Sequence, residues 1–216
     1  LEVARTFGVA KVLTVSSADI YGVVAPEELP IVESAPLRPV SPYAASKAAA
    51  DLVALQAHLG HGQDVVRARA FNHLGPGQSK SFVGAGFAAR IVAAERSGDD
   101  ELQTGDLTPR RDFTDVRDVV RAYRLLATEG RPGVAYNICS GTSVSIGELA
   151  GLLLGLTDAR MHLVEDPDLL RPVELPELRG DASLLQRHTG WAPSISLDET
   201  LSDVLEDWRL RLSEAQ

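Results

Sequence analysis

The sequence predicts an α/β fold with a parallel sheet, and three observations lead to this prediction. The apolar segment Lys11–Ser16 is typical of a short buried strand. The alanine-rich segment 44–59 predicts a long helix. A strand-like segment, Asp64–Phe71, follows that helix directly. A helix that leads straight into a strand is the pattern of a parallel sheet.

The segments around this unit predict a helix end and two loops. Residues 1–8 indicate the end of a helix, with Gly8 at its C-cap. The proline-rich residues 24–42 predict an ordered loop, and Gly60 is expected to stop the helix that precedes it. Residues 72–78, rich in glycine and proline, predict a loop after the strand. Open α/β sheets bind ligands at that edge.

The second half of the chain alternates helices with short strands. Asp115 is a plausible N-cap for a helix at 115–128, and Ser145 with Glu148 forms a capping box. The remaining predicted elements are helices at 83–96, 181–189 and 197–212, strands at 134–138 and 161–164, and a loop at 166–180.

Composition narrows the class of protein. A length of 216 residues suits one large domain or two small ones, and 44% hydrophobic residues are enough for a sizeable core. A formal net charge of -9 argues against nucleic acid as a partner, although a few arginines in a cleft still suit an anionic ligand. No apolar stretch is long enough for a membrane span, and no signal peptide is visible.

Cys139 is the single cysteine of the chain, which excludes an intrachain disulfide and suits a reducing, cytoplasmic compartment. It lies in an apolar run that favours a buried strand residue over a nucleophile. No metal site is expected.

The candidate catalytic pair is Tyr43 and Lys47, spaced i, i+4 on the predicted helix. That spacing brings both side chains to one helical face. An ammonium beside a phenol favours the phenolate, so the tyrosine can pass a proton to or from a substrate oxygen. A nearby serine hydroxyl, Ser17, can hold the same oxygen. The alternatives are surface residues for the pair and a backbone-satisfied strand end for Ser17.

Five motifs in a fixed order carry a resemblance to a known family: 12–22 with Ser16-Ser17, Pro42–Lys47, Arg69–Asn72, Arg111–Val116 and Tyr136–Gly141. With this order and spacing the chain resembles the extended short-chain dehydrogenases/reductases that act on nucleotide sugars. The resemblance implies a Rossmann-like parallel sheet with a smaller, discontinuous substrate lobe. The Gly-rich turn that opens such enzymes is not found in this sequence, so we expect the N-terminal strands of the sheet to be missing.

The resemblance also implies two lobes and a set of catalytic roles. Residues 1–75 and about 112–140 would belong to the dinucleotide-binding lobe, and about 76–111 and 141–216 to the nucleotide-sugar lobe. Ser17, Tyr43 and Lys47 match the catalytic serine, tyrosine and lysine. Asp19 stands where related dehydratases carry a glutamate, and its shorter side chain makes a complete dehydratase site doubtful; it would then bind a sugar hydroxyl or a backbone N–H.

Further residues match cofactor- and substrate-binding positions of the family. Tyr43, Lys47 and His73 would contact an NAD or NADP cofactor, although a purely structural hydrogen bond is an equal alternative for His73. Asn72, Arg111 and Arg171 would contact the substrate diphosphate, because guanidinium groups match phosphate oxygens. Glu174 would bind the ribose hydroxyls of the nucleotide.

The implied activity is the NAD(P)H-dependent reduction of the C4 keto group of GDP-4-keto-6-deoxy-D-mannose. A 4,6-dehydratase or 4-epimerase of another nucleotide sugar uses the same serine, tyrosine and lysine, and is the first alternative. The second alternative is an inactive fragment that binds nucleotide sugar but no cofactor. The resemblance further implies a homodimer.

Overall fold

The computed structural model describes residues 1–169 and 175–214. The helices are α1 (Glu2–Thr6), α2 (Pro42–His61), α3 (Val83–Ser97), α4 (Val116–Glu129), α5 (Ile146–Leu154), α6 (Ser183–Thr189) and α7 (Leu197–Glu214). The strands are β1 (Val12–Val15), β2 (Val65–Ala70), β3 (Asn72–Leu74), β4 (Glu101–Thr104), β5 (Arg110–Arg111), β6 (Phe113–Asp115), β7 (Ala135–Ile138), β8 (Val144–Ser145), β9 (His162–Glu165) and β10 (Glu177–Leu178). Short 3-10 helices span Ala18–Tyr21, Pro26–Glu28 and Pro167–Leu169.

The central sheet is parallel, as the sequence predicts, with the order β1-β2-β7. All six residues of β2 are buried, because helices cover both of its faces. Val66, Ala68 and Ala70 pack in one cluster with residues of α4. The alternate positions, Arg67 and Arg69, bond to Asp51 of α2. Strand alternation therefore gives β2 one apolar face and one charged face.

Strand β1 differs from its prediction as a buried strand. Its first three residues are half-buried, and Val15 is 46% exposed. The reason is that β1 pairs with β2 alone within the described part of the chain. Burial on both sides of a parallel strand needs neighbours on both edges as well as an apolar sequence.

Three smaller sheets accompany the central one. Strand β3 pairs in parallel with β6, β4 pairs in parallel with β9, and β5 lies between β10 and β8. The prediction of a loop over residues 72–78 is wrong at its start, where β3 lies. Its partner β6 lies 41 residues further along the chain, as the register Asn72↔Phe113 shows. The residues near β3 in sequence therefore cannot predict this strand.

A second hydrophobic cluster packs α3, α5 and α7 together. Phe87 and Ile91 of α3, Leu149 of α5 and Leu201 and Leu205 of α7 are among its fully buried members. The division into two lobes stays a prediction. It is supported by the separation of this cluster from the one around β2.

The end of α2 shows that a helix stops at the glycine that adopts a left-handed conformation, and not at every glycine in its sequence. Gly60 does not stop α2, which continues to His61 and ends at Gly62. Gly62 has a φ of 65°, the left-handed conformation that favours glycine, and its N–H donates to the carbonyl of His58 at 2.8 Å. The predicted capping box of α5 is confirmed: Glu148 N donates to Ser145 Oγ at 2.9 Å, and Ser145 N donates to Glu148 Oε2 at 2.7 Å.

Among the described helices, none is long and apolar enough to cross a membrane. Cys139 directly follows β7 and is fully buried, and this burial raises the pKa of its thiol. The cysteine is therefore a packing residue, as its apolar context predicts.

A hydrogen-bond chain links α6 to the start of β7. The Tyr136 hydroxyl accepts from Arg131 N at 3.0 Å and lies 2.7 Å from His188 Nδ1. The hydroxyl can donate its proton to Nδ1 of a neutral imidazole or accept from a protonated Nδ1. Desolvation, with the nearby charges of Arg131 and Arg187, lowers the pKa of His188.

We expect His188 to make stability pH-dependent. Its folded pKa lies below the unfolded reference near ~6.5, so its contribution is present above that pH and is lost as pH falls through the folded pKa. Urea unfolding at pH ~7 and ~5.5 should show a loss of stability that His188→Gln reduces. His61→Gln, at the exposed end of α2, is the control and should leave the pH dependence unchanged. Equal pH dependence in all three proteins would contradict the assignment.

Candidate active site

The start of α2 presents Tyr43 and Lys47. Ser41 is the N-cap, and its Oγ accepts from Ala44 N at 3.1 Å. Pro42 occupies the first turn, where its missing N–H costs nothing. Tyr43 is 54% exposed and therefore accessible to a substrate.

Lys47 connects this helix to the end of β1. Its Nζ donates to the carbonyl oxygen of Val15 at 3.1 Å and lies 5.9 Å from the centre of the Tyr43 ring. Ser16 Oγ donates to the Lys47 carbonyl at 3.4 Å. The ammonium is thus held between the strand end and the phenol ring. The i, i+4 spacing predicts the shared helical face, and the bond to the strand end comes from the tertiary structure.

Ser17 lies where β1 turns into the 3-10 helix Ala18–Tyr21. It is the N-cap of that helix, and its Oγ accepts from Asp19 N at 3.2 Å. A hydroxyl that accepts one hydrogen bond still has its own proton to donate. The half-buried Ser17 and Asp19 therefore lie on one short turn, and this turn contacts α2. Their catalytic roles stay predictions.

Asn72 and His73 follow β2 and form the first positions of β3. They pair with Phe113 and Thr114 of β6, so the segment after β2 lies beside the segment after Arg111. His73 Nδ1 lies 3.1 Å from the Phe71 carbonyl, which can only accept, so Nδ1 carries a proton. This bond is the structural role that the sequence analysis gives as the alternative to cofactor contact for His73. It also fixes the orientation of the ring.

The candidate phosphate ligands are only partly described. Arg111 is buried, and its Nη1 donates to the carbonyls of Leu175 at 2.7 Å and Arg110 at 2.9 Å. These bonds orient the guanidinium near the chain that follows residue 174. Arg171 and Glu174 lie outside the described residues, and their predicted roles stay predictions.

Asp112 joins three segments around this site. Its Oδ1 accepts from Ser140 N at 2.7 Å and from Ser140 Oγ at 2.6 Å, and its Oδ2 accepts from Gly141 N at 3.0 Å and Gly180 N at 3.2 Å. Burial nevertheless raises the pKa of this carboxyl. Asp112 thus braces the loop that follows β7. Asp115 caps α4 by accepting from Arg117 N at 2.7 Å, as the sequence predicts.

A buried polar network beneath the site was not predicted from the sequence. Asp51 of α2 bonds to Arg67 and Arg69 of β2, and Arg69 also bonds to the hydroxyl of Tyr21. The Tyr21 hydroxyl in turn donates to Asn137 Oδ1 at 2.7 Å. One signal was available: Asp51 lies one helical turn beyond Lys47, and two arginines alternate on a strand that is otherwise apolar.

No cluster of three or more His, Cys, Asp or Glu side chains is placed to hold a metal ion in the described ranges. The arrangement instead combines an accessible phenol, an ammonium and a hydroxyl at the carboxyl end of a parallel sheet. That combination suits proton transfer to and from a ligand oxygen.

Comparison with known proteins identifies the class. A family model described as GDP-mannose 4,6 dehydratase matches residues 1–204. The GDP-6-deoxy-D-mannose reductase of Pseudomonas aeruginosa is 42% identical over 204 residues, which are 94% of this chain and 67% of the reductase. The dTDP-glucose 4,6-dehydratase of Streptomyces griseus is 36% identical over 94% of this chain and 60% of its own length.

Solved structures agree with this class. The structure of RMD from Pseudomonas aeruginosa complexed with NADPH has a TM-score of 0.90 and 40% identity, covering 97% of this chain and 70% of that one. A UDP-glucose 4-epimerase from Thermotoga maritima has a TM-score of 0.88 and 27% identity, covering 98% of this chain and 67% of that one. The chain belongs to the GDP-mannose 4,6 dehydratase family of extended short-chain dehydrogenases/reductases, and it spans roughly two thirds of its relatives' length.

We expect Asp112→Asn to destabilise the protein by about 2 kcal/mol, because an amide has one acceptor oxygen and leaves a buried N–H without its partner. Urea unfolding measures the change. Asp106→Asn is the matched control, because exposed Asp106 bonds only to the nearby Thr108 among the described residues and should change stability much less. Equal losses in the two variants would show that the burial of Asp112 has no special importance.

Proposed function

We propose that this chain carries the catalytic part of an NAD(P)H-dependent reductase that acts on the C4 keto group of GDP-4-keto-6-deoxy-D-mannose. The observation that carries the proposal is the Tyr43–Lys47 pair, fixed to the end of β1 beside Ser17. Substrate choice is supported by the higher identity to a GDP-6-deoxy-D-mannose reductase, 42%, than to a dTDP-glucose 4,6-dehydratase, 36%.

Each member of the set has one role in the proposal. The Tyr43 hydroxyl donates a proton to the C4 oxygen as the carbonyl becomes an alcohol. The Ser17 hydroxyl donates a hydrogen bond to the same oxygen and stabilises the charge that develops on it. The Lys47 ammonium stabilises the phenolate that Tyr43 becomes until a proton from solvent restores it.

The residues present fit a nicotinamide cofactor. Lys47 has three N–H donors, and one of them is used on Val15 in the described structure, which leaves donors that suit ribose hydroxyls. Tyr43 and His73 would contact the same ligand. A reduced nicotinamide supplies the hydride that the carbonyl carbon receives. The protein orients the sugar and holds the proton at the Tyr43 oxygen.

The substrate diphosphate is assigned to Asn72, Arg111 and Arg171, and the nucleotide ribose to Glu174. The position of Arg111 supports this assignment, because Asp112 joins its strand to the loop after β7. A chain with a net charge of -9 needs such local cations to bind a diphosphate.

A redox-neutral dehydratase or epimerase is the alternative that the relatives favour, since dTDP-glucose 4,6-dehydratases and UDP-glucose 4-epimerases match most of the chain. In that alternative Asp19 assists proton removal at C5. Its position one turn of chain from Ser17 supports a role near the sugar, and its short side chain argues for binding rather than chemistry.

The reductase is tested by the decrease of NAD(P)H absorbance with GDP-4-keto-6-deoxy-D-mannose. Wild type should oxidise the cofactor, and Tyr43→Phe should lower kcat by ~10²- to 10⁴-fold, because the proton donor is lost. The exposed Tyr hydroxyl contributes little to packing, so the variant should unfold at the wild-type urea concentration. Conversion of a nucleotide hexose such as dTDP-glucose without net cofactor oxidation would instead establish the dehydratase or epimerase. A further loss of that activity in Asp19→Asn would show that Asp19 takes part in it.

The inactive-fragment hypothesis has its own readout. Isothermal titration of this 216-residue chain with GDP and with NADPH separates two cases. Binding of GDP alone supports a nucleotide-sugar module, and binding of both supports the enzyme. The titrations are repeated with a protein that includes any in-frame upstream coding sequence. This comparison tests whether cofactor binding needs further residues.

We also propose that the protein forms a homodimer whose interface includes α2. Leu52, Val53 and Leu59 of α2 are exposed by 54%, 57% and 74%, an unusual amount of apolar surface for the middle and end of one helix. Because a two-fold interface uses the same surface on both copies, a second copy covers these side chains best.

We expect Leu52→Glu combined with Val53→Lys to convert the dimer into a monomer, because charges at the centre of an apolar interface are desolvated without partners. Light scattering after size-exclusion chromatography measures the mass. Leu210→Glu, at a similarly exposed apolar position of α7, is the control and should stay dimeric. A monomeric wild type, or an unchanged mass in the double variant, contradicts the interface.

A further inference from the structure

We propose that Arg69 and Tyr21 are positioning residues that hold the turn of Ser17 and the helix of Tyr43 and Lys47 in one fixed arrangement. This inference rests on the proposed function, because the arrangement matters only if those three side chains act together. Neither residue touches the substrate in the proposal. Both act through the elements that carry the catalytic groups.

The first step of the argument is the orientation of α2. Tyr43, Lys47 and Asp51 follow one another at i, i+4 and i+8, so they share one face of the helix. The Asp51 side chain is fully buried. Its Oδ1 accepts from Arg69 Nη2 at 2.9 Å, and its Oδ2 accepts from Arg69 Nε at 3.0 Å. A two-pronged guanidinium–carboxylate bond restricts rotation of the helix about its axis, and with it the direction of Lys47 and Tyr43.

The second step is the turn that carries Ser17. The remaining guanidinium nitrogen of Arg69, Nη1, donates to the Tyr21 hydroxyl at 3.0 Å and to the Glu33 carbonyl at 2.9 Å. Tyr21 ends the 3-10 helix that begins after Ser17. Its ring is fully buried, with the Arg69 guanidinium 5.4 Å from the ring centre. One side chain of β2 therefore bonds to both elements that carry the candidate catalytic groups.

The charges in this network support a permanent connection. Burial raises the pKa of Tyr21 to about 12, so its hydroxyl stays protonated and donates to Asn137. Burial also acts to raise the pKa of Asp51, but the hydrogen bonds and charges of Arg69 and Arg67 outweigh it and the pKa is lowered. The lowered pKa keeps Asp51 ionised at neutral pH, so the ion pair with Arg69 and Arg67 is present there.

Arg67 shows that the connection to Ser17 is specific to Arg69. Arg67 Nη1 donates to the same Asp51 oxygen at 2.6 Å, and its Nη2 donates to the Gly133 carbonyl at 3.0 Å. It thus ties α2 to the start of β7, at the opposite end of the strand. Two arginines on one face of β2 bind one carboxylate, and only Arg69 also bonds to the turn that carries Ser17.

The test removes a single oxygen. Tyr21→Phe keeps the ring and its packing but removes the hydroxyl that joins Arg69 to the 3-10 helix. Tyr136→Phe is the matched control: Tyr136 is equally buried and hydrogen-bonded, but its partners are Arg131 and His188. Both variants should lose comparable stability in urea unfolding. Tyr21→Phe should also lower kcat by ~10-fold or more with little change in KM, because small misplacements of reacting groups are costly.

A second readout is independent of turnover. Hydrogen–deuterium exchange is measured on this 216-residue chain. Tyr21→Phe should show faster exchange than wild type in residues 17–22 and 42–47. Tyr136→Phe should show the same exchange as wild type in these segments. If the two variants have the same kcat and the same exchange in these segments, the positioning role is overturned. If wild type turns over no nucleotide sugar, the proposed function fails, and the exchange comparison still decides whether Tyr21 holds the two elements together.

Discussion

The bond between Asp51 and the two arginines of β2 is the interaction on which the site depends. It places three charges between α2 and the sheet, where Asp51 and both guanidinium groups are largely shielded from water. Such a group is tolerated because both oxygens of Asp51 accept hydrogen bonds from the arginines. Losing one partner of a buried pair typically costs about 3–5 kcal/mol. An apolar interface of the same area would hold α2 on the sheet equally well, but it would leave the helix freer to rotate and slide. Hydrophobic burial has no preferred direction, so it does not fix the rotation of α2 on the sheet. The ion pair fixes that rotation.

The parallel sheet explains how distant motifs meet. The carboxyl ends of β1, β2 and β7 lie side by side, in the registers Val15↔Ala68 and Ala70↔Ile138. The turn of Ser17, the segment of Asn72 and the loop after Cys139 therefore leave the sheet at one edge. Asp112 then joins that loop to the strand of Arg111 through backbone N–H groups. Sheet topology brings the segments together, and buried carboxylates hold their final arrangement.

Local sequence predicts the long elements well and the short ones poorly. The helices after Asp115 and Ser145 begin at their predicted caps, because a cap acts over three residues. The two-residue strands β5, β8 and β10 are too short to show any alternation, and they exist only because their partners are supplied by other parts of the chain. Gly60 shows the same limit of local prediction, since one glycine costs a helix only about 1 kcal/mol relative to alanine and α2 continues past it.

The sequence by itself determined the long helices, the three strands of the central sheet and the residue types that carry the proposed chemistry, including the Tyr43–Lys47 spacing and the motif order that identifies the family. Those features depend on neighbours within about one helical turn or on a linear pattern. Only the tertiary structure decided that Arg69 connects Tyr21 to Asp51, and that Asp112 binds Gly180. These partners lie 48, 18 and 68 residues apart in the chain. The partner of a buried charge depends on how whole helices and strands pack together, and a local sequence pattern contains no information about that packing.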